Sequence, residues 1–284
     1  MELVSVIIPC YNSGSTIKKT VDSILEQTWK NIELIIVDDG SNQKLTIDIL
    51  RDFKFAKVYR QKNAGLPSAR NLGIKKSKGQ YILPIDADDW LDREAIKLMM
   101  NEIKKSKKPS FVFSNIKLEG NDKGILAKEY NFFDQLILNQ LPYCILYPKM
   151  IWKNLKGYDE SMVYGYEDWE FNIRMGLNGY HGIKLNQSVF HYFVSENGML
   201  LSNSINRHSE LWTSIQNKHK KIYKIKNLLN VWKNWKNSNS NHHAILYFLL
   251  YFFHKLIPKR IFNFFYLFSF KLIKIKRKKV VFDT

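Results

Sequence analysis

Three carboxylates fall within four positions, Asp86, Asp88 and Asp89, directly after the apolar run Tyr81-Ile82-Leu83-Pro84-Ile85. Such a run reads as a buried strand, and the acids then sit where it leaves its sheet. In open α/β sheets, ligands bind in the crevice outside the carboxyl ends of the strands. Three uncompensated acids there would repel one another, and each would resist ionisation. A hard cation bridging them to phosphate oxygens removes that penalty, because Mg²⁺ is usually held by one or two carboxylates plus substrate phosphates. The plainer alternative is that Asp88, Asp89 or Asp92 caps a helix beginning near Trp90.

A second strand end is acidic. The run Ile32-Glu33-Leu34-Ile35-Ile36-Val37 closes in Asp38-Asp39-Gly40-Ser41. An acid in that position can hydrogen-bond a base or a ribose hydroxyl. The chain has no Gly-x-Gly-x-x-Gly and no Gly-x-x-x-x-Gly-Lys-Ser/Thr, which excludes both the dinucleotide fingerprint and the P-loop. A nucleotide handled through a metal is the chemistry left.

The elements that must position these acids alternate. Leu3 to Pro9 reads as a buried parallel strand, and Ser15 to Gln27 carries helical spacing. Strand 32–37, a helix near 44–53, a strand near 55–59 and a helix from Pro67 to about Ser77 follow. Lys78-Gly79 then leads into the strand that carries the acids. This βαβαβαβ order predicts a doubly wound, mainly parallel sheet with flanking helices. Further on, the pattern predicts a helix over Trp90–Lys105, a strand over 110–117 and a helix over Phe132–Leu141. The segment Gly165 to Phe171 opens another helix that runs to about Leu177, and Tyr180 to Tyr192 reads as strand.

Five motifs in order resemble family 2 glycosyltransferases with the GT-A fold. They are Pro-Cys-Tyr-Asn at 9–12, Val-Asp-Asp-Gly-Ser at 37–41 and Asn-Ala-Gly-Leu-Pro-Ser-Ala-Arg-Asn-Leu-Gly at 63–73. Asp-Ala-Asp-Asp at 86–89 and Gly-Tyr-Glu-Asp-Trp-Glu at 165–170 complete the set. The match covers about residues 3–195. The resemblance, of bacterial surface-polysaccharide type, implies metal-dependent, inverting transfer of a sugar from a nucleoside-diphosphate sugar, commonly a UDP-sugar, to an acceptor hydroxyl. It implies that Pro9, Tyr11 and Asp39 line the nucleoside pocket, with Arg70 and Glu167 near the substrate. Asp88 would contact a Mn²⁺ or Mg²⁺ ion, and Asp86 the ribose or the metal shell. Asp89 is a weaker metal candidate, and His191 matches a position that completes the metal shell in some relatives. Asp168 would be the general base.

Composition places a boundary. Of the net charge of +18, residues 207–284 supply 17 Lys/Arg against 2 Asp/Glu, while residues 1–206 carry 27 against 24. Residues 1–206 therefore read as the catalytic domain and 207–284 as a helical, basic and aromatic tail. Its apolar runs, 244–253 and 261–270, are each shorter than the roughly 20 residues of a spanning helix. Aromatic-rich faces bounded by Lys/Arg, with a polybasic end from Lys271 to Lys279, fit the surface of an anionic membrane. Cys10 and Cys144 form neither a metal-ligand spacing nor a disulfide framework, and the first residues lack a signal-peptide pattern. The expectation is a cytoplasmic, peripheral protein on the inner face of the cell membrane, with a glycan or lipid-linked acceptor and no nucleic acid. A nucleotidyltransferase on a related sheet and a nucleic-acid binder using the basic tail are the alternatives.

Overall fold

Alternation along β1 (Val4–Cys10) decides the architecture. Val4, Val6, Ile8 and Cys10 face one buried apolar layer and Ile7 faces another. Strand side chains alternate between faces, so a strand buried on both faces needs helices on both. α1 (Ile17–Leu25), α2 (Lys44–Asp52) and a later helix cover the first face. β2 (Ile32–Asp38) repeats the division, with Leu34 and Ile36 on one side and Ile35 and Val37 on the other. β3 (Lys57–Arg60), α3 (Leu66–Lys76) and β4 (Tyr81–Pro84) follow, and α3 packs on the second face through Ala69 and Ile74.

This is a computed structural model, and it describes residues 1–195, 204–240 and 242–267. The chain divides into two compact units. The first comprises residues 1–130, 141–163 and 167–194; the second comprises 131–140, 164–166 and 195–284.

In the first unit the main sheet has the order β3-β2-β1-β4 with parallel neighbours. The edge is closed by a short antiparallel strand, β9 (Tyr147–Pro148). Between β4 and β9 come β5 (Trp90–Leu91), α4 (Ala95–Lys105), β6 (Ser110–Phe113), β7 (Ile116–Gly120) and β8 (Gly124–Leu126). α5 (Phe132–Ile137), which belongs to the second unit, precedes β9 (Tyr147–Pro148). α6 (Lys149–Asn154), α7 (Glu167–Leu177), β10 (His181–Lys184) and β11 (Phe190–Val194) complete the first unit. α4 covers the first face, and α6 and α7 the second. The doubly wound α/β class is borne out.

The helix expected over Phe132–Leu141 ends at Ile137, and three expected elements of the first unit differ. Trp90 and Leu91 are not helical but pair antiparallel with His191 and Phe190 of β11, so α4 starts only at Ala95. The segment 110–117 is two strands, because β6 pairs with β10 and β7 with β11. For the same reason 180–192 is two strands rather than one. These segments serve different sheets, and a local pattern cannot show that.

Gly73 fixes how closely α3 lies on the sheet. A Cβ there would stand 2.5 Å from Cγ2 of Ile7 and 3.1 Å from Cγ2 of Val37. Both neighbours are β-branched core residues with little freedom to turn away. Gly73→Ala is expected to destabilise the protein by about 1–3 kcal/mol through overpacking, read by thermal denaturation. An unchanged melting temperature would show that the helix can shift.

The second unit is helical. After a 3₁₀ turn over Ile205–Arg207 come α8 (His208–Lys218), α9 (Ile225–Trp235) and α10 (Ala244–Leu256), and residues 259–267 are helical as well. Residues 205–235 are thus a turn and two helices. Trp212 and Tyr223 both donate to the Leu136 carbonyl, at 3.3 and 2.8 Å, which holds α5 in this unit. The polybasic segment from Lys271 to Lys279 lies outside the described residues.

Burial pushes His208 down to about 3 and His254 down to about 4, from an ordinary 6.5. Between pH 6.5 and 4 the unfolded chain therefore binds protons that the folded unit does not, and stability falls as pH falls through that window. Relative to His208→Phe/His254→Phe, the melting temperature of wild type is therefore expected to fall between about pH 7.5 and about pH 5. A difference between the two proteins that stays constant over this range would contradict the burial of these two rings.

Candidate active site

The sheet order places the candidate residues before any side chain is considered. β1, β2 and β3 run outward in one direction, and β4 returns to the other side of β1, so strand order reverses between β1 and β4. That reversal opens a crevice at the carboxyl edge, where ligands of such sheets bind. Pro9 lies near the end of β1 and Tyr11 just after it, Asp39 follows β2, and Asp86 and Asp88 follow β4. Adjacent strands lie about 4.8 Å apart, so Asp39 and Asp86 are separated by roughly 10 Å along the edge.

On the β2 side the loops are cross-tied. The Asn12 side-chain oxygen accepts from the N–H groups of Asn42 and Gln43, at 3.0 and 3.1 Å, and the Asn12 N–H donates to the Ser41 hydroxyl. Asn12 takes a left-handed backbone, φ 54°, which asparagine tolerates. Pro9 is buried opposite Val37, while Tyr11 is exposed. Asp39 is buried and accepts from Gln61 Nε2 at 2.7 Å and from the N–H groups of Ala64 and Gly65, both at 2.9 Å. It therefore holds the loop that opens α3. Beside that loop lies an open cleft of about 570 Å³ lined by Gly40, Arg60, Gln61, Lys62 and Asn63.

On the β4 side the centre is Arg70, on α3. Its guanidinium is fully buried and donates to Glu167 Oε1 at 2.5 Å and to Asp86 Oδ1 at 2.7 Å. One cation thus joins the strand-end acid to the start of α7. Its plane also lies over the rings of Tyr143 and Tyr158, 4.9 and 5.7 Å from their centres. Burial pushes Glu167 up to about 7, with Arg70 opposing and Asp168 adding to the rise. Asp168 is half-buried, and one of its oxygens accepts the Trp169 N–H at 2.7 Å.

The three strand-end acids are not equivalent. Asp86 belongs to Arg70. Asp89 is buried; it accepts from the Tyr143 hydroxyl and, at 2.7 Å, from the Phe193 N–H. Burial, with Asp88 and Asp86 adding, pushes it well above the usual carboxyl range. Asp88 is half-buried, and burial together with Asp86 pushes it up to about 6. No side chain among the described residues forms a hydrogen bond or ion pair with it. A divalent cation fits this donor set through Asp88, the one acid of the three whose charge is penalised and not already answered. No group of three His, Cys, Asp or Glu side chains forms a cation cage among the described residues. The remaining donors would have to come from substrate and water, as is usual for Mg²⁺.

His191 is engaged elsewhere. Its Nε2 is 2.8 Å from Asp92 and its Nδ1 2.9 Å from Glu119, and the ring stacks on Trp90. The structure brings Arg70, Asp86, Asp88, Glu167 and Asp168 to one locus and keeps His191 in a separate carboxylate cluster.

Three further residues shape the locus. The Tyr143 hydroxyl accepts the Asp86 N–H at 3.0 Å and donates to Asp89, so it sets the spacing of the acidic loop. Asn71, next to Arg70, accepts from Trp152 Nε1 and the Tyr158 N–H, and donates to the Tyr158 carbonyl and Glu160. It pins segment 157–160 to α3. Tyr192 is raised by burial and then by Asp89, Asp86, Asp88 and Asp168, which places its phenol in the field of all four acids. Of these, only Asn71 sits inside a recognisable motif.

A model of glycosyl transferase family 2 matches residues 5–158. The chain belongs to that family. The likeness extends well past the matched segment in one relative. Poly(ribitol-phosphate) β-N-acetylglucosaminyltransferase TarP of Staphylococcus aureus is 30% identical over 244 residues, covering 79% of this chain and 73% of TarP. Other relatives match over a part only. Glycosyltransferase GlyA of Streptococcus pneumoniae serotype 4 is 36% identical over 104 residues, 35% of this chain and 15% of GlyA. Among solved structures, residues 1–349 of S. aureus TarS in complex with UDP-GlcNAc align with a TM-score of 0.63 at 19% identity. That alignment covers 93% of this chain and 89% of the TarS chain. At that identity the likeness concerns the fold, and it bears out the GT-A architecture.

Proposed function

We propose that this family 2 glycosyltransferase moves a sugar, with inversion, from a UDP-sugar to a hydroxyl of a glycan or lipid-linked acceptor in cell-surface polysaccharide synthesis. It would use Mn²⁺ or Mg²⁺ and work as a peripheral protein on the inner face of the cell membrane. The observation that carries the reading is the Arg70 bridge, which brings the Asp86–Asp88 strand end and the Glu167–Asp168 helix start to one place. The UDP and UDP-GlcNAc complexes of TarS support the choice of base.

In this reading the nucleoside lies along the carboxyl edge near Pro9, Tyr11 and Asp39, and the diphosphate lies toward Asp88. Asp88 would hold the divalent cation, which when bound neutralises the charge that develops on the departing diphosphate. Asp86, neutralised by Arg70, is left to accept from a ribose hydroxyl. A sugar hydroxyl is a poor nucleophile at neutral pH, so a positioned carboxylate must take its proton as it attacks. Asp168 has that role. Glu167 cannot share it while its carboxylate is held by Arg70.

Calorimetry with UDP, GDP and dTDP, each with and without Mn²⁺, tests the donor side. UDP is expected to bind the wild-type protein only with the metal, and Asp88→Asn is expected to remove that metal-dependent binding. Metal-independent binding of equal strength in both proteins would reject the assignment of Asp88. Preference for GDP or dTDP would reject the base.

A further inference from the structure

α10 is inside out for a helix in water. An amphipathic surface helix buries its apolar stripe and exposes its polar one. α10 buries Tyr247, Tyr251 and His254, whose side chains carry polar atoms, and each is hydrogen-bonded within its own unit. The Tyr247 hydroxyl accepts from Gln140 at 3.3 Å, the Tyr251 hydroxyl donates to the Tyr223 carbonyl at 2.7 Å, and the His254 ring is 2.9 Å from the Ser209 hydroxyl. The outward stripe is Ile245, Leu246, Leu249, Phe252, Phe253 and Leu256, with exposures from 38% at the phenylalanines to 81% at Leu256. Their spacing, i, i+1, i+4, i+7, i+8 and i+11, is one continuous helical face.

The next helical stretch extends that face. Ile261, Phe264 and Phe265 are exposed, and the Phe265 ring is 6.0 Å from that of Phe253. Lys255, Lys259 and Arg260 are exposed around the bend between the two stretches. No acidic residue occurs between Glu210 and Asp283. A large exposed apolar patch marks a binding surface, and its rim tells which partner fits. A second copy of this chain would bring the same cationic rim against itself. An anionic bilayer offers hydrocarbon for the stripe and negative headgroups for the rim.

We infer that the outward face of α10 and residues 261–265 is the surface by which this protein docks on an anionic phospholipid membrane, lying in the plane of the interface. This deepens the peripheral placement proposed above by naming the face that makes it. No helix among the described residues is long and apolar enough to cross a membrane. The 13 residues of α10 span only about 20 Å, against a hydrocarbon core of about 30 Å. A helix of this kind lies at the boundary of headgroups and acyl chains, with its apolar side down.

The test is co-sedimentation of the full chain with vesicles of phosphatidylcholine alone and of phosphatidylcholine mixed with phosphatidylglycerol. Wild type is expected to sediment with the mixed vesicles. Leu249→Ser/Phe253→Ser/Phe265→Ser is expected to weaken partition at least about tenfold, since three apolar side chains leave the lipid. Lys255→Gln/Lys259→Gln/Arg260→Gln is expected to weaken it about a hundredfold on the mixed vesicles only. The substituted side chains are exposed or half-exposed, so the helical circular dichroism of both variants should match wild type. Wild type that sediments with neither vesicle overturns both this surface and the peripheral placement. Equal sedimentation of wild type and the apolar variant overturns this surface and leaves the placement standing. Loss of a dimer in the apolar variant, with vesicle binding unchanged, would make the stripe a contact between copies.

Discussion

Asp168→Asn is expected to lower kcat for sugar transfer by a factor of about a thousand or more while leaving UDP affinity within about twofold, because general base catalysis contributes 10²–10⁴-fold. The substitution is nearly isosteric. Asparagine keeps an oxygen to accept the Trp169 N–H, now 2.7 Å from Asp168 Oδ1, so the first turn of α7 should persist. What is lost is the capacity to take a proton. The neighbouring acid offers no substitute, since Glu167 is buried and bonded to Arg70 at 2.5 Å. Initial rates with saturating donor, together with calorimetric UDP binding, separate the two effects. Transfer within tenfold of wild type would move the proton acceptor elsewhere. Loss of transfer in Glu167→Gln, with Asp168→Asn near normal, would exchange the two roles.

The resemblance already assigns the base to Asp168 and places Glu167 near the substrate; what holds Glu167 was not legible in the sequence. Its partner, Arg70, lies 97 positions away. β1, β2 and β4 were legible because each is a short apolar run buried on both faces, and α1 and α2 because each has a clean apolar stripe, and both signals are local. Past Trp90 the signal fails wherever pairing is long-range. Trp90 and Leu91 carry helix-compatible residues, yet β11 recruits them as strand. Tyr143 sits in an irregular stretch and reaches the acidic loop across 57 and 54 positions, so nothing near it in sequence announces the contact. For His191, the resemblance pointed to a metal shell, whereas its partners Asp92 and Glu119 come from other strands and loops. The tail shows the converse. Its apolar and basic composition was plain, whereas the inward turn of Tyr247, Tyr251 and His254 required the fold.

The buried charges make Arg70→Met the most destabilising single change expected in the first unit. Removing one partner of a buried ion pair leaves an uncompensated charge and costs about 3–5 kcal/mol. Here one arginine answers two carboxylates, Asp86 and Glu167, so both are left. The loss should appear as a drop in melting temperature of about 10 °C, taking about 2–4 °C per kcal/mol for a domain of this size. It should also depend on pH in a definite direction. Burial has already raised Glu167 to about 7 against the opposition of Arg70, and removing Arg70 raises it further. A carboxyl raised in the folded state binds a proton that the unfolded chain releases, so its stabilising contribution is full below about 4.5 and is lost as pH rises through the folded value. In the variant that loss continues to higher pH, so the deficit relative to wild type should widen from about pH 6 to about pH 8. Arg70→Met/Glu167→Gln should recover part of the deficit and flatten its pH dependence, because the buried charge that needed an answer is gone. A constant deficit across that range, or a double variant no better than the single one, would mean that Arg70 acts through packing against Tyr143 and Tyr158 rather than through charge. Arg70→Lys is not a milder version of the test. An ammonium cannot donate in two fixed directions from one plane, and the bridge needs both.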